Sequence, residues 1–423
     1  MKIAVIGAGI IGITTAYELA VDGHEVTVFE RRGAAAEEAS FANAGVVAPG
    51  SVTPWAAPGM PGKVLGNLLS RHSAVKLSLP LSGNDLAWMW KWWRACKLQT
   101  YLANRAQLQR LAFYSQARLH QLTVDLQLEY DRSRGYTVLL RSEKDNKLVQ
   151  PGLQVLRDAG VVFSEINAEA VRKIEPAINP DTEFLGGIHL PNDEVANCRQ
   201  FALLLKDKAR DLGVIFEFNK AVAQLNQARA ASVLIAGEST ARQFDQIVMC
   251  AGLASTELLK PLGLKIPMAA VYGYSISAPV REALNAPRSA LMDERYKVAI
   301  SRLGNRVRVA GSAEIGGSLS KHRTSSVQTL YKVLHDWFPG AAKTSGSCAN
   351  GGTSVQVWKG ARPMLPDGPP LIGSSGLPGL WLNLGHGSSG WALSCGSARA
   401  LADLMAGKVA DLDMSGLGVN RLS

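Results

Sequence analysis

The first thirty residues constrain the fold more than any other stretch. Lys2-Ile-Ala-Val-Ile6 reads as a buried strand, residues 10–22 as a helix with Ala16 and Leu19 on its inner face, and Glu25-Val-Thr-Val-Phe-Glu30 as a second strand. Gly7, Gly9 and Gly12 join the first strand to the helix, and Glu30 closes the second strand eighteen positions after Gly12. This order predicts a parallel strand-helix-strand unit with a dinucleotide at its turn. Gly7 permits the tight turn, and Gly9 lets backbone N–H groups, with those of Ala8, Ile10 and Ile11, approach a pyrophosphate. Gly12 allows helix and strand to pack closely, while the helix N-terminus offers positive partial charge. Glu30 can accept hydrogen bonds from an adenosine ribose and repels a 2′-phosphate, which disfavours NADP even though Arg31 and Arg32 follow at once. A purely structural glycine turn would need neither the strand, the helix nor the acid. The unit alone does not separate FAD from NAD.

At 423 residues the chain is long enough for two or three domains of roughly 100–200 residues, which excludes peptide-like, fibrous and disordered classes. Five cysteines, at 96, 198, 250, 348 and 395, are odd in number and form no CxxC pair, so a disulfide framework or zinc ribbon is not expected and a reducing compartment is. The opening lysine and apolar run invite a signal-peptide reading, but the glycines interrupt the run and no cleavage site is clear. Cytoplasmic residence is the expectation. No apolar run approaches the roughly 20 residues of a transmembrane helix.

Further along, PWAAPGMPG from Pro54 is rich in turns, and residues 86–130 read as long helices. Residues 186–219 suggest a second strand-helix-strand unit, 221–250 a small antiparallel meander leading to a buried strand, and 270–312 antiparallel strands. The C-terminal part reads as the strand LWLNL, a glycine-rich turn and a helix over about 391–406. Nucleotide-type elements thus lie at both ends and in the middle. The expected class is α/β, with a Rossmann-like FAD-binding domain (1–50, 196–260 and 360–423) interleaved with a smaller α+β substrate domain containing an antiparallel sheet (51–195 and 261–359).

Two distant segments favour a flavin. The strand from Asp245 ends in the small residues Ala251 and Gly252, which suits passage beneath a nucleotide. Gly385, His386, Gly387, Ser388, Ser389, Gly390 and Trp391 stand between a strand and the last helix, where backbone donors and the helix dipole can stabilise negative charge on a reduced flavin. His386 is equally readable as a polar loop histidine.

The pattern Gly7, Gly9, Gly12, Ala16, Leu19, Gly23, Val26, Val28, Glu30 resembles the FAD-binding signature of the D-amino acid oxidase-like flavoproteins. Several later segments are similar to the small subunit of the bacterial D-amino acid dehydrogenases within that family. They include Ser40-Phe-Ala-Asn43-Ala44-Gly45, Pro54 to Gly59, Leu190 to Glu194, Gly360 to Gly368, and Gly385 to Trp391. The resemblance spans nearly the whole chain. It implies a non-covalent FAD, a two-domain fold, and oxidation of D-amino acids to imino acids that hydrolyse to 2-oxo acids and ammonia. Electrons would leave to a quinone or other respiratory acceptor, and a partner subunit or oligomer stays open. The resemblance also makes Arg362 the residue that pairs with the substrate carboxylate. Where the dehydrogenases usually show Lys-Gly-Tyr-Ser, this chain has Tyr272-Gly273-Tyr274-Ser275.

Hydride transfer from a substrate α-carbon asks the protein for orientation and electrostatics, since the cofactor carries the redox step. The planar fork of Arg362 suits a carboxylate, and its alternative use is an ion pair with Asp367. Tyr272 and Tyr274, on one face of a strand by alternation, could donate to the same carboxylate or simply pack. No catalytic metal is expected, since the seven histidines include no i,i+4 pair. An oxygen-reducing amino acid or glycine-type oxidase and a flavin-bearing electron-relay subunit are the alternatives.

The segment 63–120 carries nine Lys/Arg against one acid, Asp85, a net +8 of the chain's formal +10, and four tryptophans, Trp88, Trp90, Trp92 and Trp93. Such a stretch suits peripheral attachment to an anionic membrane, here the inner face of the cell membrane. A helical core layer is the competing reading. Nucleic acid is not expected as a partner, because no recognised module accompanies the basic stretch.

Overall fold

A computed structural model of the chain describes residues 1–66, 72–226, 231–344 and 355–422. Cys348 and Arg71, the latter one of the nine Lys/Arg of the 63–120 segment, lie outside these residues. Strand β1 (Lys2–Ile6), helix α1 (Ile10–Val21) and strand β2 (Glu25–Phe29) form the expected unit, with β1 and β2 parallel from Lys2 against Glu25 to Ile6 against Phe29. On its other edge β1 pairs in parallel with Gln246–Met249. The six-stranded sheet runs Leu371–Ser374, Leu380–Leu384, Gln246–Met249, β1, β2, Ile215–Glu217, and is parallel except at the Leu371–Ser374 edge. The strand order therefore reverses at β1, and in open α/β sheets a ligand crevice forms at such a reversal.

Alternating residues of β1 feed two cores. Ile3 and Val5 pack with Ile13, Ala16 and Leu19 of α1 and with the helix Gly390–Met405, while Ala4 and Ile6 face Val233, Leu365 and Leu382. Ile3, Val5, Ile13 and Leu19 are completely buried, and each contributes about 1.5–3 kcal/mol by leaving water. Two charged residues are drawn into the same layer. Glu18, fully buried on α1, receives Arg118 Nε at 2.7 Å and Arg399 Nη1 at 3.0 Å, tying α1 to α4 (Leu98–Asp125) and to Gly390–Met405.

A second, ten-stranded mixed sheet has as its main path Gln356–Met364, Ala269–Pro279, Arg306–Gly316, Val298–Leu303, Ala290–Asp293, Arg132–Leu140, Gly186–Ala196 and Val46–Val47. Helix Thr324–Trp337 covers one of its faces, burying Leu330, Val333 and Trp337 against Tyr274, Ile276 and Val309. The meander is a separate three-stranded sheet, Val222–Asn226, Ala231–Ile235 and Arg242–Phe244. The α/β class expected above is what the chain adopts.

The expected strand-helix-strand unit at 186–219 does not form as one. Gly186–Ala196 is a single strand of the ten-stranded sheet, whereas Ile215–Glu217 pairs with β2 in the other sheet. The helix between them, Cys198–Asp211, is capped by Asn197 and carries the chain from one sheet to the other, with Phe201, Ala202, Leu205 and Ala209 buried beneath it. Because Val46–Val47 and Gln356–Met364 belong to the ten-stranded sheet, we propose a two-domain division whose boundaries follow sheet membership, moving those strands to the substrate side.

Candidate active site

The crest above β1 is shaped by backbone contact. At Gly7, with φ +103°, an added Cβ would meet the Cys250 carbonyl oxygen at 2.8 Å, so this glycine permits both the turn and the close passage of Cys250–Ala251. At Gly12 a Cβ would lie 1.8 Å from the Gly7 carbonyl oxygen, so helix and strand meet only through a glycine. Gly9 has only Ser40 Oγ nearby, at 3.5 Å, which leaves its outer side open. The Ile10 N–H donates to Ser40 Oγ at 3.0 Å and the Ala8 N–H to Glu30 Oε2 at 2.8 Å. The side chains of Ile10 and Ile11 pack into the core, so these two residues present backbone to the crest. Arg31 and Arg32 both close on Glu38, at 2.6 and 2.9 Å, so both cations beside Glu30 are turned to an acid in this structure.

Three other segments surround the crest. Asn43 Oδ1 accepts the Gly45 N–H at 3.0 Å, fixing the Asn43-Ala44-Gly45 turn, and the Gly45 carbonyl accepts the Ala196 N–H at 2.8 Å. From the ten-stranded sheet, Ser275 Oγ donates to the Ala42 carbonyl at 2.8 Å and Arg308 Nη1 to that of Asn43 at 3.2 Å. Arg308 Nε has no partner among the described residues, and burial lowers this guanidinium to about 10. Ala251 and Gly252 follow strand Gln246–Met249, and open space lies where a Gly252 side chain would stand. Gly387–Ser389 form a 3-10 turn leading into Gly390–Met405, whose first N–H groups have no intrahelical acceptor. Ser388 is exposed, and Gly387, Ser389 and Gly390 are partly so.

Two side chains of this last segment depart from expectation. Trp391 is a core residue, with its indole N–H on the Ala196 carbonyl at 3.1 Å and its ring against Phe201. His386 is also buried, with Nε2 3.1 Å from Ser397 Oγ, and burial drives its pKa from 6.5 down to about 3. It is therefore neutral at physiological pH and adds no positive charge to the crevice. Between about pH 6.5 and 3 the unfolded chain binds a proton at this position and the folded protein does not. Stability should be intact above pH 6.5 and fall by about 1.4 kcal/mol per pH unit below it. In denaturant titrations across that range, wild type should lose stability more steeply than His386→Gln, by about 1.4 kcal/mol per pH unit.

On the substrate side, the antiparallel register pairs Val271 with Arg362, Tyr272 with Ala361, Gly273 with Gly360, and Tyr274 with Lys359. Cross-strand partners share a face. Arg362 therefore lies on the face of Gly273, and the two tyrosines lie on the opposite face, so the three cannot converge on one carboxylate. Tyr274 is committed elsewhere. Its hydroxyl donates to Glu314 and accepts the Arg323 N–H at 3.0 Å, and burial together with the bond to Glu314 pushes its pKa up. Lys359 Nζ stands 2.8 Å from Glu314 and over both tyrosine rings, at 4.5 Å from the Tyr272 centroid. Burial pushes the Glu314 carboxyl up, but hydrogen bonds from Lys359, Ser78 and Tyr274 outweigh it and hold the group below its ordinary value.

Arg362 itself is partly accessible, and burial lowers its guanidinium to about 10, still charged at neutral pH. Its Nη1 donates to the Ser312 carbonyl at 3.0 Å, and Ser312 holds the left-handed value φ +60° where the strand bulges. A Cβ on Gly273 would stand 2.3 Å from Arg362 Nη2, so the guanidinium occupies the space that glycine leaves. No carboxylate pairs with Arg362 among the described residues. Asp367, the alternative partner, receives Arg421 Nε at 2.9 Å instead. Gly273 and Ser312 were not singled out from the sequence, although a glycine inside a strand signals a close approach.

A family model described as FAD dependent oxidoreductase (DAO) matches residues 2–404, and the chain belongs to that family, whose cofactor is FAD. A D-amino acid dehydrogenase of Bradyrhizobium diazoefficiens is 40% identical over 425 residues, covering all of this chain and 99% of its own. Among solved structures, glycine oxidase from Geobacillus kaustophilus superposes with a TM-score of 0.77 at 18% identity over 99% of each chain. The L-alpha-glycerophosphate oxidase of Mycoplasma pneumoniae with FAD bound does so at 0.70 and 17% identity, over 96% of this chain and 94% of its own. These likenesses establish the fold. FAD also fits the residues on their own terms, because the crest over Gly9 is open, Glu30 stands at its end with Arg31 and Arg32 turned to Glu38, and space remains above Gly252.

Proposed function

We propose that the protein oxidises D-amino acids to imino acids, which hydrolyse to 2-oxo acids and ammonia, and that the electrons pass to a quinone or another respiratory acceptor. The observation that carries this reading is Arg362, a partly exposed residue whose charged guanidinium is held by one backbone carbonyl and has no carboxylate partner among the described residues. In this reading FAD, when bound, would supply the acceptor for the hydride of the substrate α-carbon. Gly7, Gly9, Gly12, Glu30, the Ser40 to Gly45 turn, Ala251, Gly252 and the Gly385 to Gly390 turn would hold the cofactor. Arg362 binds the substrate carboxylate in its plane, with Gly273 and Ser312 fixing the direction of its fork. Tyr274 supports the strand from its other face and takes no part in substrate binding.

The D configuration rests on likeness to the Bradyrhizobium relative and on the motif resemblance, and the choice of acceptor on the motif resemblance alone. An electron-relay subunit would need no carboxylate clamp. An oxygen-reducing enzyme is the reading favoured by likeness to glycine oxidase. Anaerobic mixing of the yellow holoprotein with single D- and L-amino acids should bleach the flavin with D isomers. Bleaching by L isomers alone, or by none, would overturn the substrate reading. Turnover should be far faster with a quinone than with oxygen, and stoichiometric hydrogen peroxide at comparable rates would favour the oxidase.

A further inference from the structure

Helix α3 (Gly83–Ala95), begun by a Ser82/Asp85 capping box, is apolar on two opposite sides. Trp88 and Trp92 are buried, stacked at 6.3 Å between centroids, and Trp88 Nε1 bonds the Met364 carbonyl at 2.8 Å. At i, i+4 and i+7 on the other side, Leu86, Trp90 and Trp93 are 54%, 54% and 59% exposed. Leu79 before α3, and Leu98 and Leu102 at the start of α4, are exposed as well. A groove of about 680 Å³ opens there, lined among others by Gly59, Pro61, Trp90, Trp93, Arg94 and Lys97. A helix that has already buried one apolar stripe gains nothing in water from showing a second.

Charge indicates what covers it. Lys91, Arg94 and Lys97 are exposed around the stripe, Arg94 lying 4.7 Å over the Trp90 ring. Asp85, the one acid between residues 63 and 120, is engaged in the cap. The basic character of the segment is narrower than its composition suggests. Lys76 bonds Ser325, Arg105 is buried, Arg110 pairs with Asp413 and Arg118 with Glu18, whereas Lys91, Arg94 and Lys97 stand exposed on and just after this helix; Lys63 belongs to α2 (Met60–Gly66). Protein–protein interfaces are depleted in lysine, whereas tryptophan flanked by Lys and Arg is what the headgroup layer of an anionic bilayer selects.

We propose that the Leu86–Trp90–Trp93 face of α3 docks the protein onto an anionic lipid bilayer, with the two tryptophans at headgroup depth and Lys91, Arg94 and Lys97 against lipid phosphates. This rests on the surface alone and does not depend on the substrate reading. The test is co-sedimentation of the FAD-loaded protein with vesicles of phosphatidylcholine, with and without phosphatidylglycerol, at low and high salt. Binding should require the anionic lipid and weaken as salt shortens the Debye length. Trp90→Ser with Trp93→Ser should weaken it by about tenfold or more, while the flavin spectrum and its reduction by substrate stay as in wild type. Lys91→Gln with Lys97→Gln, which disturbs no buried group, should also weaken binding and decides the matter if the tryptophan variant fails to fold. No vesicle binding at low salt, or binding that survives both pairs of substitutions, overturns the proposal. Loss of a self-associated form in the tryptophan variant, with no lipid binding by wild type, would make this face a protein interface instead.

Discussion

Arg362→Met is expected to leave FAD in place and to lower kcat/KM for a carboxylate-bearing substrate by roughly 30-fold to several thousand-fold, the equivalent of about 2–5 kcal/mol. The methionine keeps much of the stem and removes the fork, so the Ser312 carbonyl loses one donor and the substrate loses its cation. The loss should appear in both KM and the rate of flavin reduction, read by stopped-flow absorbance, because the clamp orients as well as binds. Gly273→Ala should mimic it in part. The new methyl stands 2.3 Å from Nη2 and must push the guanidinium aside, leaving the charge present but misdirected. If Arg362→Met loses activity only in proportion to lost FAD, Arg362 is structural.

Gly12→Ala should be the most damaging single methyl in the protein. Its carbon would fall 1.8 Å from the Gly7 carbonyl oxygen, and both sides of that clash are backbone, so no rotamer change relieves it. Separating α1 from β1 would cost about 3 kcal/mol or more and displace the N–H groups of the crest. The expected result is a colourless, thermally weakened protein that does not recover yellow colour when FAD is added. Gly9→Ala makes the opposite case. Its methyl meets only Ser40 Oγ at 3.5 Å, so the apoprotein should stay stable while FAD affinity falls. Equal stability of the two variants would show that the close approach at Gly12 is not needed.

What could be read in advance depended on how local the determinant was. The strand-turn-helix-strand unit was legible because its signals lie within thirty consecutive residues and the physical role of each glycine is local. The division of the tryptophans was legible too, since helical spacing cannot bury Trp88 and Trp92 without exposing Trp90 and Trp93. Alternation also put Tyr272 and Tyr274 on one face. It could not say which face Arg362 shares, because that follows from a register between strands some ninety residues apart. The 186–219 segment misled for the same reason. Its strands and helix were there, but which sheet each strand joins is a tertiary outcome. Composition likewise could not separate the cations spent inside the protein, such as Arg118 on buried Glu18, from those left outside.

The sheet order around β1 also bears on the biosynthesis of the protein. The glycine crest is made well before its neighbours, for the strand at its flank is Gln246–Met249, and the turn beside the crevice belongs to residues 385–390. Helix Gly390–Met405 then packs across α1, closing a layer whose first half was made some 370 residues earlier. During translation α1 therefore lacks the part of its native cover that this helix supplies. If the 385–390 turn holds the cofactor as proposed, capture must wait for Gly390–Met405, and yellow colour then reports a chain in which that helix has closed over α1.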